Sequence, residues 1–236
     1  MGETMSYRNL TVAALVTSAF LQACGGGGSY AGTSVTPVTS FPLLAGYKAR
    51  IAAGASDSYA ISGTCAGNAA VTSAAATPAT FEGITGYSVA QTATINFTNC
   101  TPASAAVTST GYYDSSYSPL GSSTIGVDYA KFETAPPALP TSVKVGDTAV
   151  VATLTVYANS TKATVTGQRV LSYVVEADTS ITAIANLITK AYNASGQLLY
   201  TQQSRFRIAA DGSLTSMSID VQYSTTSTNH LVYTKA

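Results

Sequence analysis

Hydrophobic and polar residues alternate along the second half of the chain. Within 198–209, Phe206 and Ile208 lie on one face, and the opposite face carries Gln203, Arg205 and Arg207. Within 214–225, the alternation assigns Thr215, Met217, Ile219, Val221 and Tyr223 to one face and Leu214, Ser216, Ser218, Asp220 and Gln222 to the other. A period of two is typical of strands with one buried face. The pattern therefore predicts a sheet with an apolar side and a solvated side.

Six strand candidates, separated by turn-forming residues, make up the second half: 147–157, 163–177, 181–192, 198–209, 214–225 and 230–235. Asp211-Gly212 is the strongest hairpin signal, because glycine supplies the positive φ that a tight turn needs. The turns recur at intervals of roughly 16–19 residues, longer than the 8–12 of a short-stranded sandwich. We therefore predict an all-β fold, an antiparallel meander of long strands that forms a half-barrel or barrel. A β-sandwich is the alternative.

The first half carries fewer strand signals: 57–63, 68–73, 80–98 (broken near Gly83 and Gly86) and 124–133. The segment 112–117 has the composition of a loop or a strand end. No stretch after the first 23 residues shows the apolar stripe and caps of a convincing helix.

The proline-rich stretch 136–140 is the best candidate for a domain boundary. We predict two β subdomains in contact, 46–135 and 141–236, of which the second is the antiparallel meander. The sequence leaves open whether the two halves form one sheet.

The N-terminal region has the pattern of a secretory signal. An apolar segment, Leu10 to Leu21, follows Arg8, and its length of about twelve residues falls short of the roughly twenty that a bilayer span needs. It ends at Leu21-Gln22-Ala23-Cys24, and Gly25-Gly26-Gly27-Gly28-Ser29 follows. This arrangement resembles the lipobox of bacterial lipoproteins, particularly those of betaproteobacteria that carry a glycine run after the cysteine.

The resemblance implies that residues 1–23 are a cleaved signal helix and that Cys24 carries a lipid anchor. Residues 24–45 would then be a flexible tether, because glycine- and serine-rich segments behave as random coils. In enteric lipoproteins an aspartate after the cysteine favours the inner membrane. Gly25 therefore implies the outer membrane, with the folded domain facing the periplasm or the cell surface. Translation would start at Met1 or at Met5.

Charged residues make up only 9% of the chain, against about 25% in average domains, and the formal net charge is zero. Without a basic stripe, the composition argues against a nucleic-acid partner. Once Cys24 is lipidated, Cys65 and Cys100 remain, and we expect them to form a disulfide in an oxidising compartment. Such a bridge stabilises by roughly 3–4 kcal/mol in the chain-entropy model. A catalytic cysteine is the alternative, weakened by the lack of a C-x-x-C pair or a histidine nearby in sequence.

Two groups of residues are candidates for chemistry. Glu176 and Asp178 lie two apart and could serve acid–base chemistry or hold a cation; the alternative is a polar strand end. Gln203, Arg205 and Arg207 share a strand face and form a candidate anion-binding patch. The alternative for this patch is a solvated sheet face with protective charges.

Enzyme signatures are scarce in the sequence. His230 is the only histidine, so it cannot form a histidine metal cluster, and we expect it to be solvated near the last turn. There is no P-loop, dinucleotide-binding motif or nucleophile elbow. We therefore predict no catalytic residue, no metal ligand and no cofactor.

These observations predict a lipid-anchored cell-envelope protein that is not an enzyme and that binds a ligand or has a structural role. Its expected partners are the membrane, through Cys24, and an apolar ligand or an envelope protein. The alternative is a surface-exposed adhesion or interaction module that uses loops rich in tyrosine, serine and threonine.

Overall fold

The structure, a computed structural model, describes residues 36–134, 139–224 and 229–236. The predicted signal, Cys24 and residues 24–35 of the predicted tether lie outside the described residues. Within these ranges, no helix is long and apolar enough to cross a membrane.

One helix and thirteen strands make up the described chain. The helix α1 spans Leu43–Ala53. The strands are β1 (Ala55–Gly63), β2 (Gly67–Ser73), β3 (Thr77–Phe81), β4 (Ile84–Phe97), β5 (Ser104–Asp114), β6 (Pro119–Thr124), β7 (Asp128–Phe132), β8 (Thr148–Tyr157), β9 (Val165–Ala177), β10 (Thr182–Asn193), β11 (Leu198–Ala209), β12 (Leu214–Tyr223) and β13 (His230–Lys235).

The strands form one antiparallel sheet in the order β2-β1-β13-β12-β11-β10-β9-β8-β7-β6-β5-β4-β3. Strand β2 also pairs with the second part of β4, from Gly67↔Phe97 to Ser73↔Gln91, and this pairing closes twelve strands into a barrel. Strand β3 is the extra strand and pairs with the first part of β4. The predicted all-β antiparallel fold is therefore confirmed, and the barrel is closed.

The strands of the second half agree closely with the sequence pattern. Strands β8 to β13 each begin within two residues of their predicted starts. The hairpin at Asp211-Gly212 joins β11 and β12, and Gly212 has the positive φ of 85° that this turn needs.

The first half differs more from the expectation. Strand β5 gave no strand signal because its inward positions, Ala105, Val107, Ser109 and Gly111, are mostly small or polar and offer little hydrophobic contrast. The segment 112–117, expected as a loop or strand end, contains the end of this strand. The predicted strand 124–133 is instead the turn and second strand of the β6–β7 hairpin.

Helix α1 corrects the expectation that no helix follows the signal. Its buried residues are spaced as one helix face: Leu43, Gly46, Tyr47, Arg50 and Ile51. A glycine and an arginine interrupt the apolar stripe on that face, so the sequence pattern did not reveal it. Since the helix begins at Leu43, the last residues of the predicted tether range, 24–45, belong to the fold.

The two predicted subdomains, 46–135 and 141–236, share a single sheet. Pairing of β7 with β8 joins them on one side, and pairing of β1 with β13 joins them on the other. The proline-rich stretch therefore lies between two neighbouring strands of one barrel.

Two hydrophobic clusters fill opposite ends of the barrel interior. At the end that we call the packed end, the cluster consists of strand side chains from β1, β2, β4, β5 and β10 to β13, with Cys65 beside them. At the opposite end, the helix-closed end, α1 and the residues Phe41 and Val143 pack against side chains of β4, β5 and β9 to β12. Cys65 and Cys100 form the expected disulfide at the packed end, with their Cα atoms 5.8 Å apart.

A β-bulge in the β11–β12 pair corrects the predicted faces of 214–225. Arg205 pairs with Ser218, but the next residue, Phe206, pairs with Ser216. The extra residue is Met217, and beyond it the alternation changes phase. Leu214 and Ser216 are therefore buried on the same side as Ile219, Val221 and Tyr223.

Candidate functional site

Buried polar side chains form a belt inside the barrel, between the two hydrophobic clusters. On β4, for example, Gln91 lies between Val89 of the helix-closed end and Ala93 of the packed end. On β11, Gln202 and Ser204 lie between Tyr200 and Phe206 in the same way. We call this set the polar belt; its members are Asp57, Ser73, Gln91, Ser109, Thr124, Asp128, Arg169, Thr189, Gln202, Ser204 and Ser216.

The strand register places most of the polar belt in continuous rows. Ser73 lies opposite Gln91, Gln91 opposite Ser109, Ser109 opposite Thr124, and Thr124 opposite Asp128. On the other side of the barrel, Thr189 lies opposite Gln202. Directly opposed residues have their side chains on the same face of the sheet, so the belt follows from the pairing itself.

Hydrogen bonds satisfy part of the polar belt. The amide of Gln91 donates to the hydroxyl of Ser73 at 3.2 Å, and that of Gln202 donates to Ser204 at 3.0 Å. Ser216 shares a hydrogen bond of 2.7 Å with the hydroxyl of Tyr59.

Asp128 and Arg169 form the ion pair of the polar belt. The guanidinium donates to the carboxylate through Nη2, and both residues are at most 9% exposed. Burial alone would lower the pKa of Arg169, but Tyr200 and Asp128 beside it outweigh burial and raise that pKa. Arg169 is therefore a permanently charged group inside the barrel, and its charge is balanced by Asp128.

Among the belt atoms that have no hydrogen-bond partner within the described chain are Gln91 Oε1, Thr124 Oγ1, Asp128 Oδ1 and Arg169 Nη1. A buried polar atom without a partner costs about 1–3 kcal/mol, so almost all such atoms in native proteins are satisfied by protein, water or ligand. The polar belt therefore has capacity for further hydrogen bonds inside the barrel.

A cavity of about 130 Å³ lies against the polar belt on the side of the helix-closed end. Gln91 and Arg169, two belt residues that each have one unpartnered atom, line it together with Thr189. The apolar part of its wall comes from Tyr47, Tyr113, Phe132, Leu139, Val151, Leu154, Leu171 and Leu187. The cavity thus combines a mainly apolar wall with a few polar side chains.

An interior charge cluster holds α1 at the helix-closed end. Asp57 accepts from Lys235 Nζ at 2.6 Å and from Arg50 of the helix at 3.4 Å. Arg50 also lies over the ring of Phe206, with 5.7 Å between the guanidinium carbon and the ring centroid. Two cations on one buried carboxylate connect the helix to the first and last strands of the barrel.

The candidate anion-binding patch, Gln203, Arg205 and Arg207, lies on the outer face of the barrel. Arg205 pairs with Glu176 at 3.3 Å and donates to Gln203 at 3.0 Å. Arg207 donates to both carboxylate oxygens of Asp178, at 2.7 and 3.3 Å. The structure therefore brings together the two groups that the sequence presented separately, and each arginine faces one of the two carboxylates.

The ion pairs on the outer face also change the pKa of one of their carboxylates. Hydrogen bonds from Arg207 and Thr182 lower the pKa of Asp178. Asn186, which is 1% exposed, donates to both Glu176 and Gln203 and connects the two pairs. The outer network is thus charge-balanced and lies apart from the cavity.

His230 lies at the start of β13 and contacts Asp220, with 3.0 Å between Nε2 and Oδ1. Within the ranges that the structure describes, no group of three or more histidine, cysteine, aspartate or glutamate side chains could hold a metal ion. The predicted lipidation site, Cys24, lies outside those ranges.

Sequence reasoning missed the polar belt. A signal was present on β11, where Gln202 and Ser204 share the alternation phase of the apolar residues Phe206 and Ile208. Polar residues at inward positions of a strand mark a buried polar site.

No protein-family model matches the chain, and comparisons with curated proteins and with solved structures found no match either.

Proposed function

We propose that the protein is a lipid-anchored cell-envelope protein that binds a small ligand inside its barrel and catalyses no reaction. One observation carries this proposal: the cavity of about 130 Å³ combines an apolar wall with the side chains of Gln91 and Arg169, each of which has one polar atom without a hydrogen-bond partner. Ligand sites in proteins have this character, with mainly apolar walls and a few polar groups that orient the ligand.

The cavity volume limits the size of the ligand. An engineered protein cavity of about 150 Å³ accepts benzene, so a cavity of about 130 Å³ suits a single ring or a chain of about six heavy atoms. A two-chain lipid is too large, which narrows the ligand expected from sequence to a small molecule with an apolar body.

The polar groups of the cavity wall favour binding over catalysis. They belong to Gln91, Ser122, Arg169, Ser172 and Thr189, besides the tyrosines Tyr47 and Tyr113. Glutamine, serine and threonine donate and accept hydrogen bonds and arginine donates them, but none of these groups exchanges protons near neutral pH. Burial raises the pKa of Tyr113 to about 12, so this tyrosine also stays protonated.

The anchor is the second part of the proposal. The lipobox-like Leu21-Gln22-Ala23-Cys24 and the glycine run support lipidation of Cys24 and attachment to the outer membrane. Substitution Cys24→Ala in the full chain should move the protein from the membrane fraction to the soluble fraction. Unchanged membrane association of this variant would contradict the anchor.

Native mass spectrometry tests the ligand. The full chain would be extracted from the envelope in mild detergent, and its mass compared before and after denaturation. We expect a small bound mass that leaves on denaturation. A mass equal to that of the lipidated chain alone, in gently handled samples, would contradict ligand binding.

A matched pair of variants tests whether the bound molecule lies in the cavity. Leu187→Phe fills the cavity, because Leu187 lines it, whereas Leu199→Phe makes the same change on the outer face of β11. The first variant should lose the bound mass and the second should keep it. Loss from neither variant would place the ligand outside the cavity.

A second candidate function is a surface interaction module, favoured by one outer face of the barrel. Across β1, β2, β4 and β5, the outward residues between Ser56 and Thr110 are uncharged and mostly small: serine, threonine, alanine and asparagine. A charge-free face of this extent suits contact with a polar, uncharged polymer or a partner protein. Protease treatment of intact cells separates the candidates, because a periplasm-facing protein would stay intact.

A further inference from the structure

We infer that the cavity selects a neutral ligand whose polar group both donates and accepts hydrogen bonds, such as a primary amide or an alcohol on a short hydrocarbon body. This inference rests on the proposed function and specifies the ligand class. It follows from the charge, hydrogen bonding and size of the cavity.

The charge balance of the polar belt excludes ionic ligands. Among the described residues that line the cavity, Arg169 is the only charged one, and Asp128 neutralises it through a direct ion pair. A carboxylate or ammonium ligand would therefore bring a buried charge without a free counter-charge, which is strongly unfavourable. A neutral polar group avoids this cost.

Two residues of the wall each have one side-chain atom without a hydrogen-bond partner: the donor Arg169 Nη1 and the acceptor Gln91 Oε1. A ligand that satisfies both must supply an acceptor to Arg169 and a donor to Gln91. The amide nitrogen of Gln91 is already used by Ser73, which fixes the side chain. An amide or a hydroxyl supplies both a donor and an acceptor from one group.

The apolar wall sets the rest of the ligand. Phe132, Leu154, Leu171 and Leu187 also line the cavity and suit a short chain or a ring. The class is thus a small neutral amphiphile.

Four probes with four-carbon chains test the class on the full chain in detergent: butanamide, 1-butanol, butanoate and n-butylammonium. Saturation-transfer NMR titrations would give each dissociation constant. We expect the two neutral probes to bind at least about tenfold more tightly than the two ions, since a buried unpaired charge is costly. Tighter binding of butanoate or of n-butylammonium would overturn the inference.

A matched pair of variants tests the hydrogen bonds. Gln91→Met removes the unpartnered acceptor of a residue that lines the cavity, and Gln202→Met makes the same change in the polar belt away from the cavity wall. The first should weaken butanamide binding about tenfold, the order expected for one lost buried hydrogen bond. The second should leave it unchanged. Equal effects of the two variants would contradict the assigned contact.

The Leu187→Phe variant separates the inference from the proposed function. If an ion binds best and Leu187→Phe abolishes that binding, the cavity is a ligand site and only the neutral class is wrong. If no probe binds and native mass spectrometry finds no Leu187-sensitive mass, the proposed function itself is wrong.

Discussion

The two ends of the barrel interior are closed in different ways. At the packed end, inward side chains of the strands fill the space, with large aromatic residues such as Tyr59, Tyr223 and Tyr233 among them. At the helix-closed end, strand side chains leave room that α1 and the residues Phe41 and Val143 occupy. A barrel of about eight strands is just filled by its own side chains, so a barrel of twelve needs additional material inside.

This difference explains where the cavity lies. The helix brings Tyr47 to the cavity wall, and the remaining wall comes from β4 to β10 and Leu139. An inserted helix is straight and cannot follow the curved wall everywhere, whereas strand side chains interdigitate. We expect stability to be concentrated at the packed end, and the proposed ligand site lies beside the helix-closed end.

Removing a large side chain from the packed end should have the largest effect. Tyr233 is 1% exposed and lies edge-on to Tyr59, with 6.5 Å between ring centroids. Tyr233→Ala should reduce the free energy of unfolding by about 3–5 kcal/mol, because it leaves a cavity among packed rings. Urea denaturation measures this. The neighbouring Val232→Ala, on the outer face, is the control. Similar losses of unfolding free energy in both variants would contradict the importance of packing at this end.

Removing the disulfide should have the next largest effect. The double substitution Cys65→Ala and Cys100→Ala separates the β1–β2 connection from the β4–β5 connection at the packed end. It should lower the free energy of unfolding by about 2–4 kcal/mol. Urea denaturation of the oxidised wild type and the variant gives the difference. Reducing agent should destabilise the wild type by a similar amount and leave the variant unchanged; sensitivity of the variant would show another cause.

Weakening the attachment of α1 should lower stability less, and the effect should be confined to the helix-closed end. Arg50→Met keeps the aliphatic stem but removes one cation from Asp57, which retains Lys235 at 2.6 Å. We expect a loss of about 1–3 kcal/mol, the cost of leaving buried polar atoms with fewer partners. Hydrogen exchange should accelerate in α1 and stay unchanged in the packed-end parts of β12 and β13, residues 219–223 and 231–233. Uniform acceleration would contradict independent closure of the two ends.

Acid should weaken the outer rim of the helix-closed end slightly. Arg207 and Thr182 lower the pKa of Asp178 in the folded state, so the unfolded chain binds more protons as the pH falls through the ordinary range of aspartate. The stabilisation is complete above that range and is lost as the pH falls through the lowered pKa. Urea midpoints at several pH values should fall less for Asp178→Asn than for the wild type. Parallel curves would contradict this contribution.

Sequence reasoning succeeded where side chains on one strand carried the information. The starts of β8 to β13 were predicted within two residues because glycine, asparagine or aspartate residues mark the turns between them. It failed for β5 because its inward residues are small, and for α1 because Gly46 and Arg50 lie on the buried face. The disulfide needed only cysteine counting and the expected compartment.

The candidate site could not be predicted from a linear sequence pattern, for a different reason. Gln91 and Arg169 lie on β4 and β9, and they face one cavity only because the sheet closes on itself. Closure depends on the pairing of β2 with β4 and of β1 with β13, long-range contacts that no local period reports. The alternation within a strand could show that a single polar residue points inward, but it could not show that Gln91 and Arg169 line the same cavity.

Both termini of the described fold lie at the helix-closed end. Val38 donates to Ser180 in the turn between β9 and β10, and Ala236 donates to Ser58 beside the Asp57 charge cluster. From Cys24 to residue 36 the chain reaches at most roughly 40 Å. If Cys24 is lipidated as proposed, the tether therefore attaches the barrel through its helix-closed end. The proposed ligand site would then belong to the half of the barrel nearer the membrane, and the Cys65–Cys100 disulfide to the half farther from it.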